Sequence, residues 1–207
     1  ASSPVTPEAL EDEELALSRV LAELGIHNVL FTLNRQDEHD KICDWLETGL
    51  RAFDENSLVH IGLIDEHSDA EDGFGRSSGN WVVFMEIRHG SKVVIDWLRY
   101  DKQHRRYHDG SYERSLFHRI WSSPDEWEAD WSGFVTLDLD YITPLSFSSS
   151  SEIDREFDLL VGTWFDRHVS IKGIHIDRGL ITPELCLYAL QSFRRALADR
   201  LIKIRDN

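Results

Sequence analysis

Apolar positions along this chain recur at two spacings, and each spacing predicts a different kind of element. Thr6-Pro7 offers a capping hydroxyl followed by proline at the first helical position. Leu10, Leu17, Val20, Leu21 and Leu24 then form a helical stripe that Gly25 ends. Ile42, Trp45, Leu46, Gly49, Leu50 and Phe53 lie on one face of a second helix, from about Asp37 to Asp54. Ile153, Phe157, Leu160, Val161 and Trp164 predict a helix opened by Ser151 and Asp154. Leu185, Ala189, Leu190, Phe193, Ala196 and Leu197 predict the last one, opened by Thr182-Pro183.

The shorter apolar runs have strand length: Asn28 to Leu33, Leu58 to Ile64 and Ile171 to Ile176. Gly133 to Leu139 alternates, with Val135, Leu137 and Leu139 as the inward set. Trp81 to Arg88 and Lys92 to Tyr100 are rich in β-formers and flank Gly90-Ser91, which predicts a type II′ hairpin. Ser111 to Trp121 predicts a short helix, and Ser123-Pro124 a brief acidic turn. His67 to Asn80 mixes glycine and serine with acids and reads as an exposed loop. The expected fold is α+β: a single domain over residues 1–207, with a mixed or antiparallel sheet of about four to five strands covered by helices. Its central order is αβββαβ. Residues 1–7 are expected to be a flexible N-terminus, and 146–151 a mobile serine-rich connection.

Composition adds compartment and charge. No apolar run approaches the length of a membrane span, and Ala1-Ser2-Ser3-Pro4 lacks the basic and apolar regions of a signal peptide. Cys43 and Cys186 belong to no metal-binding or disulfide pattern, so both are expected to fill core space in a reducing cytoplasm. The net charge of −16 is segregated: residues 1–72 carry 18 acidic and 4 basic side chains, and residues 120–158 carry 10 and 1. The intervening 73–119 and the closing 159–207 are basic on balance.

Such acidic blocks fit a binding protein that presents carboxylates to a basic protein partner, because complementary charge speeds encounter and gives selectivity without catalysis. The contact residues would be Glu13, Glu14, Asp37, Glu38, Asp40, Asp69, Glu71, Asp72, Asp125 and Glu126, with Trp127 among them. Immunity proteins and DNA mimics work in this way, an analogy of charge alone. This reading needs no cofactor, and it is compatible with a homo-oligomer in which acidic and basic segments meet. A nucleic-acid contact would instead use residues 99–119, where Arg99, Lys102, Arg105, Arg106, Arg114 and Arg119 interleave with tyrosines.

The order αβββαβ over residues 37–139 resembles the core of the PD-(D/E)XK nuclease superfamily. That resemblance implies carboxylates on the second and third core strands holding Mg²⁺ or Mn²⁺, here Glu86 and Asp96, with Asp65 as a third ligand. It also implies a lysine two residues beyond the last carboxylate. Leu98 occupies that position, and Lys102 is the nearest lysine. A two-residue hairpin loop would put Glu86 and Asp96 on opposite faces, whereas a three-residue loop would bring them together. The stretch Asp65-Glu66-His67-Ser68-Asp69-Ala70-Glu71-Asp72 is rich in hard-cation donors but lacks a calcium-loop pattern, and is expected to be a solvated loop.

Overall fold

Six strands, all parallel, make one sheet in the computed structural model, which describes residues 3–35, 38–70, 80–99, 115–145 and 149–207. The strands are β1 (Val29–Thr32), β2 (Val59–Ile64), β3 (Val93–Leu98), β4 (Arg119–Trp121), β5 (Ser132–Asp138) and β6 (Ser170–Asp177), in the spatial order β1-β6-β5-β2-β3-β4. The described helices are α1 (Pro7–Glu23), α2 (His39–Leu50), α3 (Trp81–His89), α4 (Ser150–Asp166) and α5 (Pro183–Asp206). Short 3-10 turns cover Pro124–Glu126 and Leu139–Leu145.

The helix signals act as read. Thr6 Oγ1 accepts from the Ala9 N–H at 3.2 Å, and Thr182 Oγ1 accepts from the Leu185 N–H at 3.2 Å. Each thus satisfies a first-turn donor that the helix itself leaves free. The α4 stripe Ile153, Phe157, Leu160, Val161 and Trp164 is buried throughout, as are Cys43 and Cys186, neither of them in a disulfide. None of the described helices is long and apolar enough to cross a membrane.

The sheet corrects the expected α+β class. A mixed or antiparallel sheet of four to five strands rested on a hairpin at Gly90-Ser91, but β2 and β3 pair in parallel, Ile61 with Ile95 and Leu63 with Trp97. Residues 81–89 are a helix, not a strand. Parallel neighbours need a crossover between them, and α3 supplies it, burying Trp81, Val82 and Met85 on the sheet. The β-branched and aromatic run Val82-Val83-Phe84 signals strand, and the tertiary demand for a crossover overrides it. Helix α2 and α3 cover one face, over Ile61, Leu63, Val93, Ile95, Trp97 and Phe134. Helices α1, α4 and α5 cover the other, over Ile64, Leu98, Val135, Leu137, Ile174 and Ile176. Strands buried on both faces carry near-continuous apolar runs, which is why the pattern hides their direction.

Gly62 marks a close approach within the second layer. Trp127 is fully buried there, with Trp121, Trp131 and Trp164 around it at 4.5, 5.1 and 5.7 Å between ring centroids. A Cβ on Gly62 would sit 2.7 Å from the Trp127 ring. Gly62→Ala is therefore expected to destabilise by about 1–3 kcal/mol through overpacking, read as a lower urea midpoint followed by tryptophan fluorescence.

Candidate metal centre

Strands β2 and β5 are neighbours, yet the chain leaves β2 for α3 on one face and β5 for α4 on the other. That divergence opens a crevice beyond the carboxyl ends of the two strands, the usual place for a ligand in an open parallel sheet. Asp65 follows β2 directly, and Asp138 closes β5. Two apolar strands thus run out into carboxylates at one edge of the sheet.

Local turns fix the side chains. The His67 N–H donates to Asp65 Oδ1 at 2.8 Å, and the Asp140 N–H donates to Asp138 Oδ1 at 3.1 Å. Each aspartate bonds the backbone two residues on, the turn this side chain favours. The His67 ring then reaches both strands' loops, with Nδ1 3.2 Å from Asp140 Oδ2 and 3.5 Å from Asp65 Oδ1. Asp69, at φ +50°, ties the loop to α3: its Oδ2 accepts the Trp81 indole N–H at 2.6 Å. On the far side, Gly179 stands at φ +71°, and a Cβ there would lie 2.7 Å from Asp138 Oδ1. Only glycine allows this chain to pass so close to the carboxylates.

Asp65, His67 and Asp140 each offer a donor atom within 4.8 Å of the others. Asp65 and Asp140 are buried, and His67 is partly open to solvent. Burial raises the Asp65 carboxyl well above its ordinary range, and repulsion from Asp69, Asp138 and Asp140 adds to this. Asp138 is raised for the same reasons, burial first and then Asp140 and Asp177. Burial lifts Asp69 to about 7, against the opposing hydrogen bond from Trp81. Asp140 is the exception: burial works to raise it, but hydrogen bonds from His67 and Asp65 bring it below its usual value. His67 in turn is raised to about 9, chiefly by its bond to Asp140, with burial opposing. Without a cation the site holds protons to offset crowded negative charge.

The residues fit a divalent ion. Asp65 Oδ2 and Asp140 Oδ1 are buried and have no hydrogen-bond partner, which is costly for carboxylate oxygens unless a cation takes them. Two carboxylates and an imidazole suit Mn²⁺ or a similar borderline divalent ion.

Beside the centre, β1 and β6 end in a second polar group. His175 Nε2 lies 2.7 Å from Thr32 Oγ1, and the Thr32 hydroxyl donates to Asp177. Asp177 also accepts the N–H groups of Asn34 and Gly179 at 3.2 and 2.8 Å. Burial holds His175 down at about 3, so it is neutral and donates from Nε2.

No protein-family profile matches the chain, and no curated protein matches it by sequence. Solved structures do match its fold. A formimidoylglutamase from Bacillus subtilis shares 11% identity over 94% of this chain and 68% of its own, at a TM-score of 0.50. A formiminoglutamase from Trypanosoma cruzi, solved with Mn²⁺, shares 15% identity over 95% of this chain and 73% of its own, at a TM-score of 0.51. The fold is that of the arginase and agmatinase type.

This fold overturns both functions expected from sequence. Its neighbours are neither immunity proteins nor DNA mimics, and its parallel sheet is not a PD-(D/E)XK core. Glu86 lies on α3, over one face of the sheet, whereas Asp96 points to the other, where Oδ2 accepts the Trp131 indole N–H at 2.9 Å and pairs with His60 at 3.2 Å. No loop length brings Glu86 and Asp96 together. Lys102 falls outside the described residues, as do Asp37, Glu71, Asp72 and most of 99–119. Of the nuclease ligands, Asp65 alone belongs to the observed cluster.

The acidic contact surface is likewise broken up. Glu13 pairs with Arg194 on α5, and Glu14 with Arg178 just beyond β6. Glu38 is buried and accepts the Leu33 N–H at 2.8 Å. Trp127 is core. Asp40, Asp125 and Glu126 remain on the surface. Of the expected solvated loop at 65–72, the described residues 65–70 turn inward; sequence reasoning set His67 aside with that loop and missed Asp138 and Asp140. The available signal was Asp-x-His-x-Asp directly after one apolar strand, and Asp-x-Asp at the end of another.

Proposed function

We propose that the protein is a divalent-metal-dependent hydrolase of carbon–nitrogen bonds in a small molecule, with the ion held by Asp65, His67 and Asp140. The observation that carries this is the pair of buried, unpartnered oxygens, Asp65 Oδ2 and Asp140 Oδ1, flanking an imidazole at the carboxyl edge of the sheet. Support comes from the shared fold of the formiminoglutamases, one of them solved with Mn²⁺. When bound, such an ion supplies Lewis acidity and a lowered pKa for coordinated water.

The chain's own residues do the holding. Asp138 fixes the turn that presents Asp140, and the Asp65–His67 turn fixes the other wall. Trp81 keeps Asp69 beside them. Carboxylates held by backbone N–H groups and packed rings keep their geometry whether or not the ion is present, which limits the reorganisation needed to bind it.

Metal-stripped protein is expected to take up Mn²⁺ with a dissociation constant well below about 1 mM, seen as loss of the free-ion signal in paramagnetic resonance. With the ion restored, guanidino or formimino compounds should release urea, ammonia or formamide, and chelation should stop that release. Absence of Mn²⁺ uptake would sink the reading.

A further inference from the structure

Beside the metal centre a cavity of about 580 Å³ lies at the ends of β1 and β6. Gly179 is shared between them, lining the cavity on one side and lying against Asp138 and Asp140 on the other. Leu33, Leu180, Ile181 and Leu185 line it, together with Asn34, Thr143 and Thr182. Among the described residues, no lysine, arginine, aspartate or glutamate lines the cavity. Leu180 is 79% exposed and Leu33 42% exposed, so two large aliphatic side chains face water directly beside a cluster of carboxylates.

Among the described residues such a wall offers neutral polar groups but no opposite charge for an ammonium or carboxylate tail. What it rewards is the removal of apolar surface from water, about 25 cal/mol per Å². We propose that the substrate carries an aliphatic or other apolar group next to the bond it presents to Asp65, His67 and Asp140, and that Leu33, Leu180, Ile181 and Leu185 receive that group. The proposal rests on the metal-dependent reading above and specifies its substrate class: an apolar molecule with a nitrogen-bearing head, not one charged at its far end.

Alkyl hydroxamates test it, because the hydroxamate head ligates a metal and the tail length can be varied alone. Mn²⁺ uptake is measured first. Acetohydroxamate, butanohydroxamate and hexanohydroxamate are then titrated calorimetrically into the Mn²⁺-loaded protein. Affinity is expected to rise about threefold to fourfold per methylene. In the Leu33→Asn, Leu180→Asn double variant, at two exposed positions, this slope should flatten. Equal affinity for all three tails in the unaltered protein would overturn the apolar subsite and leave the metal centre standing. A slope that survives in the double variant would equally overturn the assignment to this wall. Failure to take up Mn²⁺ removes the metal reading itself, and the subsite with it, before any hydroxamate is added.

Discussion

Asp65→Asn is expected to push Mn²⁺ affinity down by more than about a hundredfold while making the metal-free protein more stable at pH 8. The two effects have one cause. Asp65 is fully buried at the end of β2, and the carboxylates of Asp69, Asp138 and Asp140 face it. At pH 8 an ionised Asp65 would add a further negative charge to that group, and burial already penalises it. Asparagine has the same shape, so its Oδ1 can keep the 2.8 Å bond from the His67 N–H. Its amide is neutral at every pH, so the cost of either ionising a buried Asp65 or holding it protonated at pH 8 disappears while the packing stays. A gain of about 1–3 kcal/mol follows, the range for relieving a buried unfavourable charge.

Metal binding moves the opposite way, because Asp65 Oδ2, free of any protein partner, is a candidate ligand atom. Loss of residues that merely orient ligands costs about 10- to 100-fold in metal affinity, so loss of a ligand should exceed that. Thermal unfolding with and without Mn²⁺ reads both effects together. The unaltered protein should gain about 2.7 kcal/mol at a hundredfold excess of ion over its dissociation constant, and the variant should gain nothing. If the variant's metal-free form is less stable at pH 8 and its Mn²⁺ response is intact, Asp65 is a structural carboxylate and the centre has been misassigned.

The helices were legible because each carries its own start, stripe and stop. Thr6-Pro7 and Thr182-Pro183 cap as their chemistry demands, and the α4 stripe is buried without exception. Strand direction was not legible. His60-Ile61-Gly62-Leu63-Ile64 and Val93 to Leu98 are apolar on both faces, so neither an inward set nor a partner orientation can be read from them. The glycine at position 90 then invited a hairpin, and the helical spacing of Trp81, Val82 and Met85 was hidden inside a β-rich run.

That one error concealed the site. In an antiparallel sheet, strand ends alternate between two edges, and Asp65 and Asp138 would have no reason to meet. In a parallel sheet all carboxyl ends share an edge, so Asp65, Asp138 and Asp177 fall in one row. Residues 65 and 140 are far apart in sequence, and their acids resemble solvated surface until the topology is known. The negative charge that suggested an external basic partner is, in this part of the chain, directed inward at the cluster of Asp65, His67 and Asp140.

Between pH 6.5 and 9 the metal-free protein is expected to lose stability steadily, and the Mn²⁺-loaded protein to gain it. A group whose pKa is higher folded than unfolded stabilises fully below its unfolded value and loses that contribution as pH rises through the folded one. Asp69 does so from about 4 to about 7, and Asp65 and Asp138 are displaced in the same direction. His67 does so from 6.5 to about 9. His175 opposes: neutral in the fold, it stabilises above 6.5 and loses that as pH falls toward 3, so its effect is confined to the acid side. Asp140, held below its usual value, is likewise spent in acid. Above pH 6.5 no group among the described residues with a resolved shift offsets the loss, and the slope should approach about 1.4 kcal/mol per pH unit for each proton the fold holds in excess. For a chain of this length that is a fall in Tm of about 2–4 °C per kcal/mol. Mn²⁺ reverses the sign because it binds Asp65 and His67 only after they release their protons, so its affinity climbs with pH. Scans in chelator and in Mn²⁺ across this range should therefore diverge as pH rises. Parallel curves would mean that the carboxylates at the ends of β2 and β5 do not share a cation, and that the convergence of Asp65, His67 and Asp140 serves the fold alone.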